Sequence, residues 1–197
     1  MICAIVLAAG RSERMGTQKL LLPLGGKLLI ARVVDELLSS QVEQILVVIG
    51  HNGERLREAL TNRAVQFVEN PDPAGDMLGS VRCGLRALPT DCEAVLAVLG
   101  DQPGITRRLV DELIRRFRAS ESRIIVPTCN GHRGHPVLFS ARYFEELLNG
   151  YNGDGLRGFL DAHTAEVSSV ALPNSDGLED MDTPADYQRQ KEMFSDS

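Results

Sequence analysis

The residues best suited to chemistry lie in a short cationic segment near the N-terminus and in acidic positions much farther along the chain. Residues 7–29 read LAAGRSERMGTQKLLLPLGGKLL, so Arg14 and Lys19 follow an apolar run that stops at Gly10. Small residues let a base or ribose lie against the backbone, and the positive charges can gather around phosphate groups. Asp101 follows another apolar run, and carboxylates are usual protein ligands of Mg²⁺. These residue types indicate a site for a nucleoside phosphate and a divalent metal ion.

The cationic segment matches neither of the two common nucleotide-binding loops. A Walker loop needs lysine directly after its second glycine, whereas threonine follows Gly16. The dinucleotide pattern GxGxxG is missing because serine stands two residues after Gly10, which disfavours a dinucleotide oxidoreductase. On composition alone, a tight turn with solvated charges explains the segment equally well, and Arg11 is expected to lie in solvent.

Length and charge limit the classes of function. The chain has 197 residues, 43% of them hydrophobic, and a formal net charge of −6. This length predicts a single domain over residues 1–197. We expect neither nucleic acid nor a membrane as a partner, because an acidic chain must bind an anion through a local cationic site.

The N-terminus and the cysteines indicate a cytoplasmic protein. The apolar run at 2–9 is far shorter than the roughly 18 residues of a membrane span and has no basic segment before it, so it predicts a strand and not a signal peptide. Cys3, Cys83, Cys92 and Cys129 show no CxxC spacing. They are therefore expected to be reduced thiols.

Apolar runs and helical patterns alternate along the chain. The predicted strands lie at 3–8, 44–50, 65–69, 94–100, 123–127, 136–139 and 166–172. The runs at 44–50 and 94–100 are continuously apolar, as expected for parallel strands covered on both faces. Helical patterns at 28–40 and 106–120 stand between strands, which predicts an α/β, doubly wound, mostly parallel sheet of Rossmann-like type. Ligands bind such sheets at the carboxyl ends of the strands, where the polar clusters of this chain are expected.

Three motifs resemble those of the NTP transferases related to the molybdopterin nucleotidyltransferases. The segment LAAGRSERMGTQKLL resembles the family signature L-A-[AG]-G-x-S-x-R-M-G-x-x-K-x-L. VLGDQPGIT (98–106) resembles the strand-end G-D-x-P, and EDMDTPADY (179–187) resembles D-x-D-T-P-x-D-[YL]. The matches follow the family order and span residues 2 to 187, which implies a nucleotidyltransferase fold and activity.

Finer details resemble the molybdenum cofactor cytidylyltransferase branch of that family. Ala9 gives LAAG where guanylyltransferases tend to carry LAGG, and GHPVLF (134–139) is also similar to the cytidylyl enzymes. NGDGLRGFL (152–160) resembles the element G-D-x-G-A-R-x-L-L but lacks one residue, and Gly79 stands where serine is more usual. These departures concern the second substrate more than the nucleotide.

The resemblance implies Mg²⁺-dependent transfer of CMP from CTP to the phosphate of the molybdopterin cofactor, with release of pyrophosphate. The acceptor phosphate is already an anionic nucleophile, so the obstacle is charge repulsion, which positioning, cationic side chains and a divalent metal ion reduce. The implied partners are CTP, the molybdopterin cofactor, and a molybdoenzyme or its maturation chaperone.

The catalytic and metal-binding roles are assigned by these motifs. Arg14, Lys19 and Asp101 form the implied catalytic set, in which the two cations bind phosphate oxygens. Asp101 and Asp182 are the implied metal ligands, with Asp180 in reserve. Asp101 alone is also compatible with a turn, and Asp182 with a position that favours the positive end of the following helix.

Nucleotide and acceptor contacts follow from the same resemblance. The implied nucleotide-binding residues are Leu7, Ala8, Ala9, Gly10, Arg14, Lys19, Asn70, Gly75, Ser80 and Asp101. On the acceptor side, His135 is the implied hydrogen-bond donor to the pterin phosphate, while Asp154 and Arg157 contact the pterin or cap a helix. Zinc at His132 and His135 is disfavoured because no further ligand stands at a suitable spacing.

Other functions stay open at the level of sequence. The same chemistry with GTP, or with a sugar or polyol phosphate as acceptor, needs the same residue types. A non-catalytic nucleotide- or cofactor-binding delivery module is a further alternative, although it would not need two acidic residues aligned for a metal ion.

Overall fold

The computed structural model describes residues 1–10, 18–51, 53–72 and 76–194. The strands of the central sheet are β1 (Ile2–Ala8), β4 (Gln44–Ile49), β5 (Gln66–Glu69), β6 (Ala94–Leu99), β7 (Ile124–Cys129), β8 (His132–Arg133), β9 (Val137–Ser140) and β10 (Val167–Ala171), and a separate hairpin is formed by β2 (Pro23–Leu24) and β3 (Lys27–Leu28). The helices are α1 (Leu29–Leu38), α2 (Glu54–Ala59), α3 (Met77–Arg86), α4 (Arg107–Ala119), α5 (Phe144–Asn149), α6 (Gly155–Ala162) and α7 (Pro184–Met193).

The central sheet is mixed but mostly parallel, as predicted. Its order is β10-β7-β9-β6-β1-β4-β5, with β8 paired to β7. Strands β5, β4, β1 and β6 pair in parallel, and β10 pairs in parallel with β7. Strand β9 runs antiparallel to both β6 and β7, so its first residue lies at the edge where its neighbours end. Each of the seven predicted strands is present.

Helices cover both faces of the sheet. Alternate residues of β1 point to opposite faces, so Ile2 and Val6 pack with α1, α2 and α4, whereas Cys3 and Ile5 pack with α3, α5 and α6. All four of these side chains are fully buried. This arrangement explains the continuously apolar runs and confirms the doubly wound α/β architecture.

The strand order reverses between β1 and β6, which leaves a crevice at the carboxyl ends of these two strands. The chain continues from β1 towards β4 on one side, while from β6 it continues towards β7 on the other. Open α/β sheets bind ligands at such a reversal, beside the carboxyl ends of the two strands. Ala9 and Gly10 follow β1 and Asp101 follows β6, so these residues lie at this crevice.

Two threonines define the starts of the helices that flank the site. The Thr106 side chain accepts a hydrogen bond from the Leu109 N–H at the start of α4. Thr183 and Asp186 form a capping box at the start of α7, with Pro184 at its first position. In the described parts of the chain, no helix combines the length and the apolar character that crossing a membrane requires.

Candidate active site

Lys19 joins the two predicted metal-binding carboxylates. Its ammonium Nζ lies 2.5 Å from Oδ2 of Asp101 and 2.7 Å from Oδ1 of Asp182. The Lys19 side chain is 13% exposed and that of Asp101 is 19% exposed, whereas Asp182 is more open at 43%. Three residues from distant parts of the sequence therefore meet at the crevice between β1 and β6.

The charges of this cluster compensate one another. Burial acts to lower the pKa of Lys19, but the hydrogen bonds and charges of Asp101 and Asp182 outweigh it and raise the pKa above its usual value. The lysine is therefore fully protonated near neutral pH and neutralises much of the negative charge of the two carboxylates. A phosphate group that approaches this edge meets a positive partner instead of two bare anions.

The C-terminal segment is held tightly against the turn that follows β6. The backbone N–H of Met181 donates to the carbonyl oxygen of Asp101 at 3.0 Å, and the Met181 side chain is fully buried. The backbones approach so closely at Gly104 that an added Cβ would lie 1.9 Å from the carbonyl oxygen of Asp176. These contacts explain why Asp182 stands beside Asp101.

Asp180 lies next to this pair but has a different partner. Its Oδ1 accepts a hydrogen bond of 2.7 Å from Nε2 of Gln102. Partial burial and then the negative charge of Asp101 raise the pKa of Asp180, although part of the side chain remains exposed. The crowding of like charges at one sheet edge is typical of a site that binds a cation.

The carboxylates suit magnesium better than zinc. Within the described ranges, no group of three or more His, Cys, Asp or Glu side chains is arranged to hold a metal ion. Magnesium is usually held by one or two carboxylates together with phosphate oxygens and water, and Asp101 with Asp182 fits that requirement.

The predicted nucleotide-binding backbone lies at the end of β1. Ala8 is buried, whereas Gly10 is exposed, with open space on the side where a Cβ would stand. The N–H of Gly100 donates to the carbonyl of Leu7 at 3.1 Å, so the end of β1 is tied to the turn that carries Asp101. Ala9 is half-buried beside them. Arg14, the other predicted phosphate ligand, lies outside the described residues, and its role stays a prediction.

Asn70 and Ser80, the residues predicted to hold base and ribose, contact each other. Both are buried, and Nδ2 of Asn70 donates to Oγ of Ser80 at 3.1 Å. Oδ1 of Asn70 accepts from the backbone N–H of Asp72 at 3.0 Å, which orders the start of the following loop. Asn70 directly follows β5 and Ser80 lies in the first turns of α3, so both stand at the active-site side of the sheet. Gly75 lies outside the described part of the chain.

His135 lies at the same edge because β9 starts there. Its Nδ1–H donates to the carbonyl oxygen of Ala97 at 3.3 Å. Burial lowers the pKa of His135, although the nearby negative charge of Asp101 acts in the opposite direction. With Nδ1 bound to a carbonyl, the neutral ring presents Nε2 as an acceptor, so donation to a phosphate requires the protonated ring.

The remaining predicted acceptor residues lie directly before α6 and within it. Asp154 immediately precedes this helix and is exposed, with no capping hydrogen bond from its side chain. Arg157 is 92% exposed, and its Nε lies 3.9 Å from Asp161 on the same helix. Neither contacts Lys19, Asp101 or Asp182 in the described ranges, and their roles stay predictions.

Two residues of structural importance were missed by sequence reasoning. Gln102 holds Asp180, and its position directly after Asp101 was the available signal. Arg82 of α3 donates to the carbonyl oxygens of Leu147 and Gly150 and to Oδ1 of Asn152, and so ties α3 to the segment before α6. Nothing in the sequence around Arg82 indicated these partners, because they are distant in the chain.

Known proteins are similar to this chain in sequence and in fold. Residues 4–167 match the family of the MobA-like NTP transferase domain. The chain is 29% identical over 196 residues to the molybdenum cofactor cytidylyltransferase of Escherichia coli (strain K12), a match that covers 99% of this chain and 98% of that protein. It is 35% identical over 135 residues to the bifunctional protein GlmU of Mycolicibacterium paratuberculosis, covering 63% of this chain but only 27% of that longer protein.

Solved structures agree with the sequence matches. Rv0371c from Mycobacterium tuberculosis H37Rv is similar with a TM-score of 0.87 and 27% identity, over 97% of each chain. A second structure of Rv0371c, in complex with manganese, is similar with a TM-score of 0.82 and 25% identity, over 97% of this chain and 98% of that one. The family match covers most of the chain, and Lys19, Asp101 and Asp182, one from each predicted motif, meet at one edge of the expected sheet. The chain therefore belongs to the MobA-like NTP transferase family and is a nucleotidyltransferase.

Proposed function

We propose that this protein is a Mg²⁺-dependent molybdenum cofactor cytidylyltransferase, which transfers CMP from CTP to the phosphate of the molybdopterin cofactor. The products are the cytosine dinucleotide form of the cofactor and pyrophosphate. The observation that carries the proposal is the meeting of Asp101 and Asp182 around Lys19. The similarity to the E. coli cytidylyltransferase over nearly the whole chain supports the choice of nucleotide and acceptor.

The proposed reaction needs no protein nucleophile. An oxygen of the acceptor phosphate forms a bond to the α-phosphorus of CTP, and the bond from that phosphorus to the oxygen bridging to the β-phosphate breaks. The electron pair leaves with pyrophosphate, so no oxidant, reductant or added proton is required. The barrier comes from repulsion between anions and from charge on the leaving group, which fixed cations lower.

The chain's own residues supply positioning and charge. Lys19, already held at the crevice, stabilises phosphate charge, and Arg14 is assigned to the phosphates as a second cation. The backbone from Leu7 to Gly10 and the pair formed by Asn70 and Ser80 enclose base and ribose. Asp101 and Asp182 would hold the Mg²⁺ ion, which when bound supplies positive charge at the phosphate oxygens. The manganese complex of Rv0371c, which is similar in fold and 25% identical, supports a divalent ion in this fold.

The acceptor side is assigned to the other end of the crevice. His135 lies two residues before β9 and close to Asp101, where the attacking phosphate must approach. Asp154 and Arg157 are assigned to the pterin. We further propose that the protein acts in the cytoplasm, in line with its four free cysteines, and that it delivers its product to a molybdoenzyme or that enzyme's maturation chaperone.

Pyrophosphate release tests the proposal. The purified protein is incubated with purified molybdopterin cofactor, MgCl₂ and either CTP or GTP, and the dinucleotide product is identified by mass spectrometry. We expect release with CTP that depends on both the cofactor and Mg²⁺. A fast reaction exclusive to GTP would overturn the choice of base. Tight binding of CTP without pyrophosphate release would favour a delivery module instead.

A further inference from the structure

Gln102 is a buried polar residue directly beside the proposed metal ligands. Its side chain is 2% exposed, although it lies in the turn immediately after Asp101. Nε2 of Gln102 donates to the carbonyl oxygen of Leu178 at 3.0 Å and to Oδ1 of Asp180 at 2.7 Å. One amide group therefore bonds twice to the segment that leads into Asp182.

The partners of Gln102 determine the orientation of its amide. A backbone carbonyl only accepts hydrogen bonds, so the NH₂ group must face Leu178, and with it Asp180. The amide oxygen Oε1 then faces the other way and has no hydrogen-bond partner among the described residues. A buried polar atom without a partner is unfavourable, so the two bonds made by Nε2 must compensate for it.

The bonds of Gln102 act together with two further contacts of the same segment. Met181 N–H bonds to the carbonyl of Asp101, and the close approach at Gly104 lets the backbone around Asp176 lie against the turn. Of these contacts, only that of Gln102 reaches a carboxylate. It supplies a donor to Asp180, which otherwise faces the negative charges of Asp101 and Asp182.

We propose that Gln102 is a positioning residue for the metal site: its amide holds residues 178–182 against the turn after β6, so that Asp182 stays within reach of the cation bound by Asp101. The inference rests on the proposed function, because it takes Asp101 and Asp182 as the metal ligands. Gln102 touches neither substrate nor metal ion in this role. Residues that orient metal ligands typically change metal affinity by about 10- to 100-fold when they are replaced.

A second buried glutamine provides a matched control. Gln190 of α7 is 1% exposed, and its Oε1 also has no hydrogen-bond partner in the described residues. The substitution Gln190→Leu therefore removes a buried amide of the same size, with the same type of unpartnered oxygen, from the later part of α7. A general effect of replacing a buried glutamine would appear in both Gln102→Leu and Gln190→Leu.

Mn²⁺ binding followed by electron paramagnetic resonance tests the inference without a turnover assay. Free Mn²⁺ is titrated with the full chain in the presence of CTP, for the wild type, Gln102→Leu, Gln102→Glu and Gln190→Leu. We expect the dissociation constant to rise about tenfold in both Gln102 variants and to stay within about twofold in Gln190→Leu. In the Asp182→Asn background, Gln102→Leu should cause no further loss, because the ligand that it positions is already impaired.

The outcomes separate the inference from the proposed function. A wild type that does not bind Mn²⁺ with CTP overturns the proposed function and the inference with it. A wild type that binds Mn²⁺, together with Gln102 variants that bind it equally well, overturns the inference alone. The inference is also overturned if Gln102→Leu lowers the affinity for Mn²⁺ equally in the wild-type and Asp182→Asn backgrounds. If both Gln102 variants fail to fold while Gln190→Leu folds, Gln102 is a folding residue and the positioning role is wrong.

Discussion

The backbone N–H of Met181 donates to the carbonyl oxygen of Asp101 at 3.0 Å, and this bond aligns two segments that are distant in the sequence. The fully buried side chain of Met181 is part of the apolar cluster beneath the site. A shift of the C-terminal segment by one residue would remove Met181 from that cluster and Asp182 from Lys19. The apolar core thus determines which carboxylate reaches the crevice.

Replacing either carboxylate should stop nucleotide transfer. We expect Asp101→Asn and Asp182→Asn to lower the rate of pyrophosphate release at least about a hundredfold, because loss of a metal ligand removes several kcal/mol of charge stabilisation. Binding of CTP, measured by isothermal titration calorimetry, should be largely retained. Glu121→Gln, an exposed change away from the site, is the control. Unchanged turnover in Asp101→Asn would contradict the metal assignment.

Loss of the lysine should separate metal binding from transfer. The Lys19 ammonium and a metal ion compete for the same oxygens of Asp101 and Asp182, so Lys19→Met should bind Mn²⁺ more tightly than the wild type when no nucleotide is present. The same variant should lose about a hundredfold or more in kcat/KM, because a phosphate-stabilising cation is missing. Paramagnetic resonance measures the first effect and pyrophosphate release the second.

A matched lysine makes the comparison specific. Nζ of Lys27 lies 2.7 Å from Oδ2 of Asp35, which is distant in the sequence from the proposed metal ligands. Lys27→Met should therefore change neither Mn²⁺ binding nor kcat/KM. Weaker Mn²⁺ binding by Lys19→Met without nucleotide would show that the lysine holds the carboxylates in place and does not compete for them.

Local sequence patterns predicted the elements well, because burial on both faces leaves continuous apolar runs. The direction of β9 was not predictable, because the apolar run at 136–139 is compatible with either parallel or antiparallel pairing. That direction is what brings His135 to the active-site edge. Only its motif allowed Asp182 to be assigned to the site from the sequence, because its proximity to Asp101 depends on contacts between distant segments.

The residues that were missed share a physical cause. Gln102 and Arg82 act through hydrogen bonds to backbone carbonyls, and a carbonyl oxygen is present at every residue. The position of Gln102 directly after Asp101 indicates that it lies near the site, but no pattern of side chains identifies the carbonyl that either residue contacts. Composition, charge and periodicity predict which faces are buried, whereas the pairing of a donor with one particular carbonyl is decided only by the folded chain.

Close backbone packing beside the site should make Gly104 intolerant of a side chain. In Gly104→Ala the new Cβ would overlap the carbonyl oxygen of Asp176, so the C-terminal segment must move away. We expect a loss of about 1–3 kcal/mol in the free energy of unfolding, measured with urea, together with weaker Mn²⁺ binding. Normal metal binding in this variant would show that the contact is not needed to place Asp182.

The same substitution should have the opposite effect at Gly79. Its Cβ in α3 would lie 3.4 Å from Oδ1 of Asp76, an ordinary contact distance, and alanine favours the helix. Gly79→Ala should therefore raise the free energy of unfolding by about 0.5–1 kcal/mol. A loss of stability here would indicate that the glycine is needed for the capping bond from its own N–H to Asp76.

The ion pairs of Asp35 should give stability that depends on pH. Burial acts to raise the pKa of Asp35, but hydrogen bonds from Arg63 at 2.6 Å and Lys27 at 2.7 Å outweigh it, so the pKa is lowered in the folded protein. A carboxyl group with a lowered folded pKa stabilises the protein above its unfolded pKa of about 3.9, and this stabilisation is lost as the pH falls through the folded value. At pH 7, Asp35→Asn should cost about 1–2 kcal/mol.

The difference in the free energy of unfolding between wild type and Asp35→Asn should therefore be constant from pH 7 to about pH 5 and should shrink towards zero below about pH 4. Urea unfolding at a series of pH values measures it. Glu112 provides the control, because its pairing with Arg115 also lowers its pKa but lies on the exposed face of α4, where water screens the interaction. Glu112→Gln should thus change stability little at any pH. If the difference in the free energy of unfolding between wild type and Asp35→Asn is the same at pH 3 as at pH 7, the side chain stabilises the fold through packing and not through its charge.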